Sequence, residues 1–325
     1  MYRIDDATAA TSLPVPESAG TEGFFTEGNP ATGTPATKVR GSWLNMIQEE
    51  LCAVLAAAGI ARSKTTYNQV NSALQKMYSP IVGSARNLAM NVPAASATAT
   101  LTADQIVVAS ALNGQTFIIP SFNKTINLAT TGAGGMDVGS APASGFVALY
   151  AIYNPSTGAS ALLATNATST VAPNVYGGAN MPAGYTASAL VTVWPTNSSS
   201  QFAIGYQLDR RITITSTIAV STTTQIASLT LVNAATIIPK NAKTASGNLS
   251  IVTANGLNAQ VNIAANASGL GAQQLAAGAS SGGTNSANCP FLSMPIITAQ
   301  SFYWNAFLQT GTFTSAQVVI TGYEI

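Results

Sequence analysis

The first clear hydrophobic pattern along the chain is helical and begins after residue 41. Apolar side chains recur there at steps of three and four residues: Leu44, Ile47, Leu51, Val54, Leu55 and Ala58. This spacing predicts a helix that starts at Ser42, an N-cap residue, and stops at Gly59. A second helix is predicted over residues 66–78, where Thr66 and Gln69 have the spacing of a capping box. Two helices this short cannot bury their apolar stripes alone, so the pattern implies self-association or docking.

Beyond residue 85 the pattern changes to the short, β-branched runs that are typical of strands. The predicted strands are Phe117–Ile119, Phe146–Tyr153, Ala187–Trp194, Phe202–Leu208, Arg211–Ile218, Ile226–Val232, Leu249–Thr253, Gln260–Ala264, Phe302–Leu308 and Gln317–Glu324. Many short strands separated by turn residues predict a mainly β fold with two β-sandwich or jelly-roll-like domains, over residues 86–212 and 213–325. The Gly-, Ala- and Ser-rich segment Asn266–Ala287 is predicted to be a flexible loop.

Residues 1–40 differ from both patterns. Prolines at four positions and abundant Gly and Thr preclude a long helix and predict an extended arm with turns. The predicted organisation is therefore an attachment arm over 1–40 and a helical hairpin for attachment and trimerisation over 41–85, followed by the two β domains.

Charge changes this picture more than any other part of the composition. Charged residues make up 7% of the 325 residues, where about a quarter is usual, and the formal net charge is +1. A surface this poor in charge lacks the repulsion that keeps molecules apart. We therefore expect other copies of the chain to cover much of it.

The side chains offer little chemistry. The chain has no histidine, which removes the commonest general base and metal ligand. Beyond Asp104 the carboxylates are Asp137, Asp209 and Glu324, spread over different predicted elements, whereas glycoside hydrolysis usually needs a flanking pair. We expect no catalytic residues, no metal site, no cofactor and no enzymatic activity. A polysaccharide depolymerase remains the less favoured alternative.

The sequence also limits the possible binding partners and the cellular compartment of the protein. The longest basic cluster is the Arg210-Arg211 pair, so nucleic-acid binding is not expected. This pair could bind an anionic sugar or phosphate; the favoured alternative is that the two arginines are solvated or form an ion pair with Asp209 between subunits.

No export signal or membrane-spanning run is visible, and Cys52 and Cys289 define no disulfide framework. These features favour assembly in a reducing host cytoplasm without membrane insertion.

Aromatic side chains are the remaining candidates for recognition. Trp194 beside Pro195, and Tyr303 with Trp304 in the cluster at 302–307, could bind a receptor through their flat faces. The favoured alternative for Trp304 is a position in the core.

Residues 20–51, GTEGFFTEGNPATGTPATKVRGSWLNMIQEEL, closely resemble the N-terminal region of tail-fibre and tail-tip proteins of tailed bacteriophages and prophages. The shared features are the Phe24-Phe25 pair, the run over 26–30, the repeat over 33–37, and Trp43-Leu44-Asn45 at the start of a helix. The match covers about the first 60 residues. The resemblance implies a trimeric virion protein of a tail fibre or baseplate.

The resemblance also implies a direction along the chain. The N-terminal region would attach to tail or baseplate proteins, and the distal β domains would contact a bacterial surface receptor such as a polysaccharide, pilus or outer-membrane protein. The residues expected to serve attachment and trimerisation are Phe24, Phe25, Trp43, Leu44, Ile47 and Leu51. An alternative is a tail-tip scaffold that carries a separate receptor-binding protein. A cellular adhesin or a capsid decoration protein is a third possibility.

Overall fold

The computed structural model describes residues 2–278 and 283–325. The chain divides into two compact units, an N-terminal unit from Met1 to Ser79 and a β unit from Pro80 to Ile325. The fold is mainly β, with two helices near the N-terminus followed by large antiparallel sheets, as predicted.

Two helices form the ordered centre of the N-terminal unit. Helix α1 spans Gly41–Ala57 and helix α2 spans Gln69–Met77. Gly59 ends α1 as predicted: its φ is +64°, and the N–H of Ile60 donates to the carbonyl of Leu55 at 2.9 Å. This closes the helix in the manner that favours glycine just past the last turn.

The predicted helix starts are wrong. Arg40 occupies the N-cap of α1 without a side-chain cap, because the Ser42 hydroxyl instead donates to Glu17 Oε1 at 2.9 Å. The capping box with Thr66 does not form either. The Gln69 side chain turns back to the loop before α2, where Nε2 donates to the Ala61 carbonyl and Oε1 accepts from the Ser63 N–H.

The β unit contains sixteen strands within the described residues. They are β1 Ala85–Arg86, β2 Ala89–Val92, β3 Thr98–Ala109, β4 Thr116–Asn127, β5 Phe146–Tyr153, β6 Ser160–Asn166, β7 Ala187–Pro195, β8 Gly205–Leu208, β9 Arg211–Thr222, β10 Ile226–Asn233, β11 Thr244–Leu257, β12 Ala259–Ala264, β13 Gln273–Ala277, β14 Thr284–Pro295, β15 Ser301–Phe307 and β16 Thr310–Glu324.

These strands form two antiparallel sheets. Twelve belong to one sheet, ordered β14-β11-β16-β9-β8-β2-β3-β7-β5-β6, with β1 and β4 both paired to β3. The second sheet has the order β10-β15-β12-β13. Buried side chains of both sheets share one core, in which Trp304 and Phe302 of the small sheet join Leu249 and Val318 of the large one.

The sheet is continuous across the boundary predicted between residues 212 and 213. Strand β9 crosses that point, where Ile212 pairs with Gln207 of β8 and with Tyr323 of β16. The two predicted β domains therefore share one sheet, and residues from Pro80 onward form one compact unit.

The segment Asn266–Ala287, predicted to be a flexible loop, is partly regular. Strand β13 pairs with β12, and β14 begins at Thr284 and pairs with β11. The prediction was wrong for these strands because pairing partners far away in sequence outweigh a composition rich in small residues. Residues 279–282 of this segment lie outside the described residues.

The solvent side of the large sheet carries hydroxyls and amides. Exposed Tyr206 lies between Asn91 of β2 and Thr213 of β9. On the next strands, the hydroxyls of Thr100 and Thr125 are 2.7 Å apart. Charge is sparse here, since the β unit has four carboxylates and six cations over 246 residues.

Candidate functional site

The sequence run that carries the phage-tail resemblance folds into a closed hairpin. The Thr37 N–H donates to the Thr26 carbonyl at 2.9 Å, and the Thr26 N–H donates to the Thr37 hydroxyl at 3.0 Å. Inside this closure, the N–H of Asn29 donates to the carbonyl of Thr34 at 2.8 Å, and the N–H of Thr34 returns to the carbonyl of Asn29. The four hydrogen bonds fix residues 26–37 as one turn structure.

Asn29 and two glycines explain why this local sequence makes the turn. The Asn29 side chain accepts from the Ala31 N–H at 3.0 Å and caps a short 3₁₀ helix at Pro30–Thr32. Gly33 ends that helix at φ +69°. Gly28 has φ +73°, and a Cβ there would lie 2.5 to 2.7 Å from backbone atoms of the returning strand. The hairpin thus depends on glycine at residue 28 for space as well as for conformation.

An aromatic contact beside the hairpin joins the arm to α1. The ring of Phe25 meets the ring of Trp43 edge to face, with centroids 5.1 Å apart at 80°. The adjacent Phe24 makes no ring contact in the described residues and is 99% exposed. A large unpaired aromatic held in water beside an ordered hairpin is a typical binding element.

A groove of about 840 Å³ runs along these side chains. Its apolar lining comes from the arm and from α1: Leu13, Pro14, Pro16, Phe24, Phe25, Trp43 and Met46. Met46 was missed as a candidate, although it follows Trp43 at the helical spacing of three. Pro14 and Pro16 predict only an extended arm, because the sequence does not show that the arm returns to α1.

Charged side chains tie the arm to the helices. The Arg3 guanidinium binds the Glu49 carboxylate, Lys64 Nζ lies 2.7 Å from Asp5 Oδ2, and Arg40 Nη1 lies 3.2 Å from Glu17 Oε1. The hydrogen bond from Lys64 lowers the pKa of Asp5, and that from Arg3 lowers the pKa of Glu49.

The pKa of Glu17 is lowered as well. The main cause is a hydrogen bond from its own backbone N–H, followed by the hydrogen bond from the Ser42 hydroxyl. All three carboxylates are therefore held in the charged form that keeps the arm in place.

The predicted attachment residues lie on this unit and are largely uncovered. Five of them are exposed, namely Phe24, Phe25, Trp43, Leu44 and Ile47, and Leu51 is half-buried. On α2 the side chains of Leu74 and Met77 are exposed too, as is Tyr78 directly after the helix. The buried apolar set of the unit is small: Cys52, Leu55, Ala58 and Ala73. Most of the apolar surface of the N-terminal unit is thus available for contact with another molecule.

The aromatic residues considered for receptor binding are mostly in the core of the β unit. Trp194 is 0% exposed, and its Nε1–H donates to the Ala203 carbonyl at 2.9 Å. Trp304 is equally buried. A buried ring cannot touch an external ligand, so these two tryptophans serve packing, and the suggested receptor role for them was wrong. Tyr303 points to the opposite face of β15 and is half-buried.

The three distal carboxylates have separate partners. Asp137 accepts from the Tyr176 hydroxyl at 3.0 Å, Asp209 from the Leu88 N–H at 3.2 Å, and Glu324 from the Thr244 hydroxyl at 3.3 Å. Within residues 2–278 and 283–325, no group of three or more Cys, Asp or Glu side chains could hold a metal ion. The same residues include no helix with the length and hydropathy to cross a lipid bilayer.

Comparison with known proteins gives one partial similarity. No family model matches the chain. Over 77 residues it is 43% identical to the Uncharacterized protein StfP of Escherichia coli strain K12. The aligned part is 24% of this chain and 35% of that protein, so the chain spans about a third of the length of the relative it matches.

Proposed function

We propose that this chain is a structural subunit of a phage tail fibre or tail tip that attaches to tail or baseplate proteins through its N-terminal unit. The resemblance of residues 20–51 to phage tail proteins supports this proposal, and the partial similarity to StfP is compatible with it. The proposed location is the virion, after assembly in the host cytoplasm. No catalytic step is assigned to any residue.

The observation that carries the proposal is the uncovered aromatic surface beside the Thr26–Thr37 hairpin. Phe24 is exposed two residues before a hairpin closed by four hydrogen bonds, and together with Phe25 and Trp43 it lines the groove. Exposed aromatic side chains bury a large apolar area when a partner covers them, and aromatics are enriched among the residues that contribute most to binding.

We further propose that the chain is a homotrimer. Leu44, Ile47, Leu51 and Val54 have the a and d spacing of a coiled coil, and α2 leaves the N-terminal half of this stripe uncovered. Contacts between copies would bury it. Mass photometry of the purified full chain should give a trimer, and a stable monomer would contradict this part of the proposal.

The β unit is proposed to contact the host receptor. Its solvent side offers hydroxyls, amides and the exposed Tyr206, which suit hydrogen bonding to a bacterial polysaccharide, pilus or outer-membrane protein. The alternative is a scaffold that carries a separate receptor-binding protein. Purified chain that binds to host cells would support direct contact, and particles whose adsorption needs a second protein at the fibre tip would support the scaffold.

The attachment proposal is tested by particle assembly. Phe24→Ser with Trp43→Ser should remove the chain from particles purified from the bacterium that carries the gene, as measured by immunoblot. The control is Tyr206→Ser, which lies on the β unit and should leave incorporation unchanged. Normal incorporation of the Phe24/Trp43 variant would contradict attachment through this surface.

Absence of enzymatic function is tested separately. Joint substitution of Asp137, Asp209 and Glu324 by the corresponding amides should leave any degradation of host polysaccharide by the particle unchanged. Loss of polysaccharide degradation in particles that still contain the folded variant would make the chain a depolymerase.

A further inference from the structure

Arg210 is held in the β unit in an unusual way for a surface cation. It lies in the tight turn between β8 and β9, where Leu208 pairs with Arg211. Its Nη1 donates to the Leu190 carbonyl at 3.0 Å and its Nη2 donates to the Gly83 carbonyl at 2.5 Å. No ion pair with a carboxylate forms at Arg210 within the described residues. The guanidinium is therefore partly buried and held by two backbone carbonyls, and within the described residues it forms no ion pair with Asp209 of the same chain.

The same guanidinium lines a pocket of about 350 Å³. Apolar side chains of Ile81, Val82 and Leu88 form part of the wall, and Ser84 adds a hydroxyl. The volume is at the lower end of the range for small-ligand sites. An apolar wall beside a guanidinium held by two hydrogen bonds could orient a small ligand.

The chemistry of Arg210 defines what that group is. A guanidinium has five N–H donors, and the two backbone carbonyls use two of them. Burial lowers the pKa of Arg210, because the charged form has lost water without gaining a carboxylate in contact. The planar fork of donors matches the two oxygens of a carboxylate or phosphate.

We infer that Arg210 and the pocket beside it bind an oxyanion, a carboxylate or phosphate group carried by a small ligand such as an acidic sugar. The two backbone carbonyls fix the guanidinium plane, and the apolar wall contacts the ligand next to its charged group. This inference does not depend on the proposed tail-fibre function.

Asp209 also lines the pocket, and its carboxylate would repel an anionic ligand. Its side chain is exposed, so water screens its charge, and Oδ1 already accepts from the Leu88 N–H. Asp209 is therefore expected to weaken binding without preventing it. Substitution of this carboxylate gives the inference a variant that should gain affinity.

The test is a titration of the full chain at low ionic strength by ligand-observed NMR. The probes are inorganic phosphate, glucuronate and, as a neutral control, glucose. Wild type should bind glucuronate or phosphate and should not bind glucose. Phosphate binding alone would identify a phosphate group, and glucuronate binding alone a carboxylate with its sugar ring.

Matched variants separate a binding role from a purely structural one. Arg211→Gln removes the exposed neighbouring cation and should leave affinity unchanged, whereas Arg210→Gln should lower affinity at least about ten-fold, the scale of one lost charge-assisted contact. Arg210→Lys keeps the charge without the fork and should weaken binding less, and Asp209→Asn should strengthen it. These two variants carry the test if Arg210→Gln fails to fold.

Three results would overturn the inference. The first is wild type that binds neither anion, the second is glucose binding equal to glucuronate binding, and the third is an equal loss in the Arg210 and Arg211 variants. If Arg210 only stabilises the fold through its two carbonyl contacts, Arg210 variants would change the unfolding midpoint, and the wild type would bind neither anion.

Discussion

The Phe25 ring stands edge-on to Trp43 at a centroid distance of 5.1 Å, and this contact joins the arm to the first turn of α1. The two residues are 18 positions apart, so the contact fixes where the hairpin at 26–37 sits along the helix. The neighbouring Phe24 takes no part in it and is left exposed.

A double-mutant cycle on Phe25→Ala and Trp43→Ala should therefore give a coupling free energy of about 0.5–1.5 kcal/mol, the usual range for an aromatic pair. Hydrogen exchange of the Thr37 amide, which reports hairpin closure, measures it. Phe24→Ala is the matched control and should leave this exchange unchanged. A coupling near zero would mean that the ring contact does not hold the arm.

The two glycines of the hairpin should respond differently to alanine. Gly33→Ala meets open space and should cost about 1–2 kcal/mol, the penalty for a left-handed residue with a Cβ. Gly28→Ala has the same conformational penalty and also places a Cβ within 2.7 Å of the returning backbone, so it should open the hairpin. Exchange of the Asn29 and Thr34 amides distinguishes the two variants, and equal protection in both would refute the steric argument.

The contact between the N-terminal arm and the helices of the same unit should depend on pH. The pKa values of Asp5, Glu17 and Glu49 are lowered in the folded chain, from ordinary values of 3.8 for Asp and 4.5 for Glu. Their stabilisation is complete above these ordinary values and is lost as pH falls through the lower folded values. Below about pH 4 the arm should progressively release.

Hydrogen exchange of residues 2–10, corrected for the intrinsic effect of pH, measures this release. Added salt at neutral pH should also promote release of the arm, because salt screens the exposed ion pairs. Asp6→Asn is the control, since the Asp6 carboxylate accepts only from Thr8 within the described residues and does not join the arm to the helices. An arm equally protected at pH 2.5 and pH 7 would show that the ion pairs do not hold it.

The hydroxyl of Tyr323 should contribute measurably to the stability of the β unit. It is fully buried and donates to the Val193 carbonyl at 2.7 Å, which joins β16 to β7. Tyr323→Phe removes this buried hydrogen bond and should lower the free energy of unfolding by about 0.5–1.5 kcal/mol, the usual net contribution of one such bond. Urea unfolding measures it, with Tyr303→Phe as a control that should change little.

Much of the β fold was predictable because its strongest strands are apolar on both faces. Phe146–Tyr153 was predicted as a strand and coincides with β5, which is buried along nearly its whole length. Strand β3 was missed, since alternating Thr and Ala in its first half give a weak hydrophobic pattern. Its pairing with β4 at eleven positions compensates for that weakness, and sequence periodicity does not report such pairing.

The geometry of the candidate site could not be predicted from the sequence. Trp43 and Trp194 look alike in sequence, each in an apolar element, yet the first is exposed and the second is fully buried. Whether each tryptophan is exposed depends on which other element packs against its side of the helix or strand. The ion pairs that return the arm to the helices join residues 23 to 59 positions apart, and no local pattern indicates them.

The hydroxyls and amides around Tyr206 have a consequence for the environments in which the β unit can act. Directional hydrogen bonds from neutral groups are hardly affected by dissolved ions, whereas the attraction between opposite charges shrinks with the Debye length. Contacts made through Asn91, Tyr206 and Thr213 should therefore be equally strong in fresh water, in intestinal fluid and in sea water.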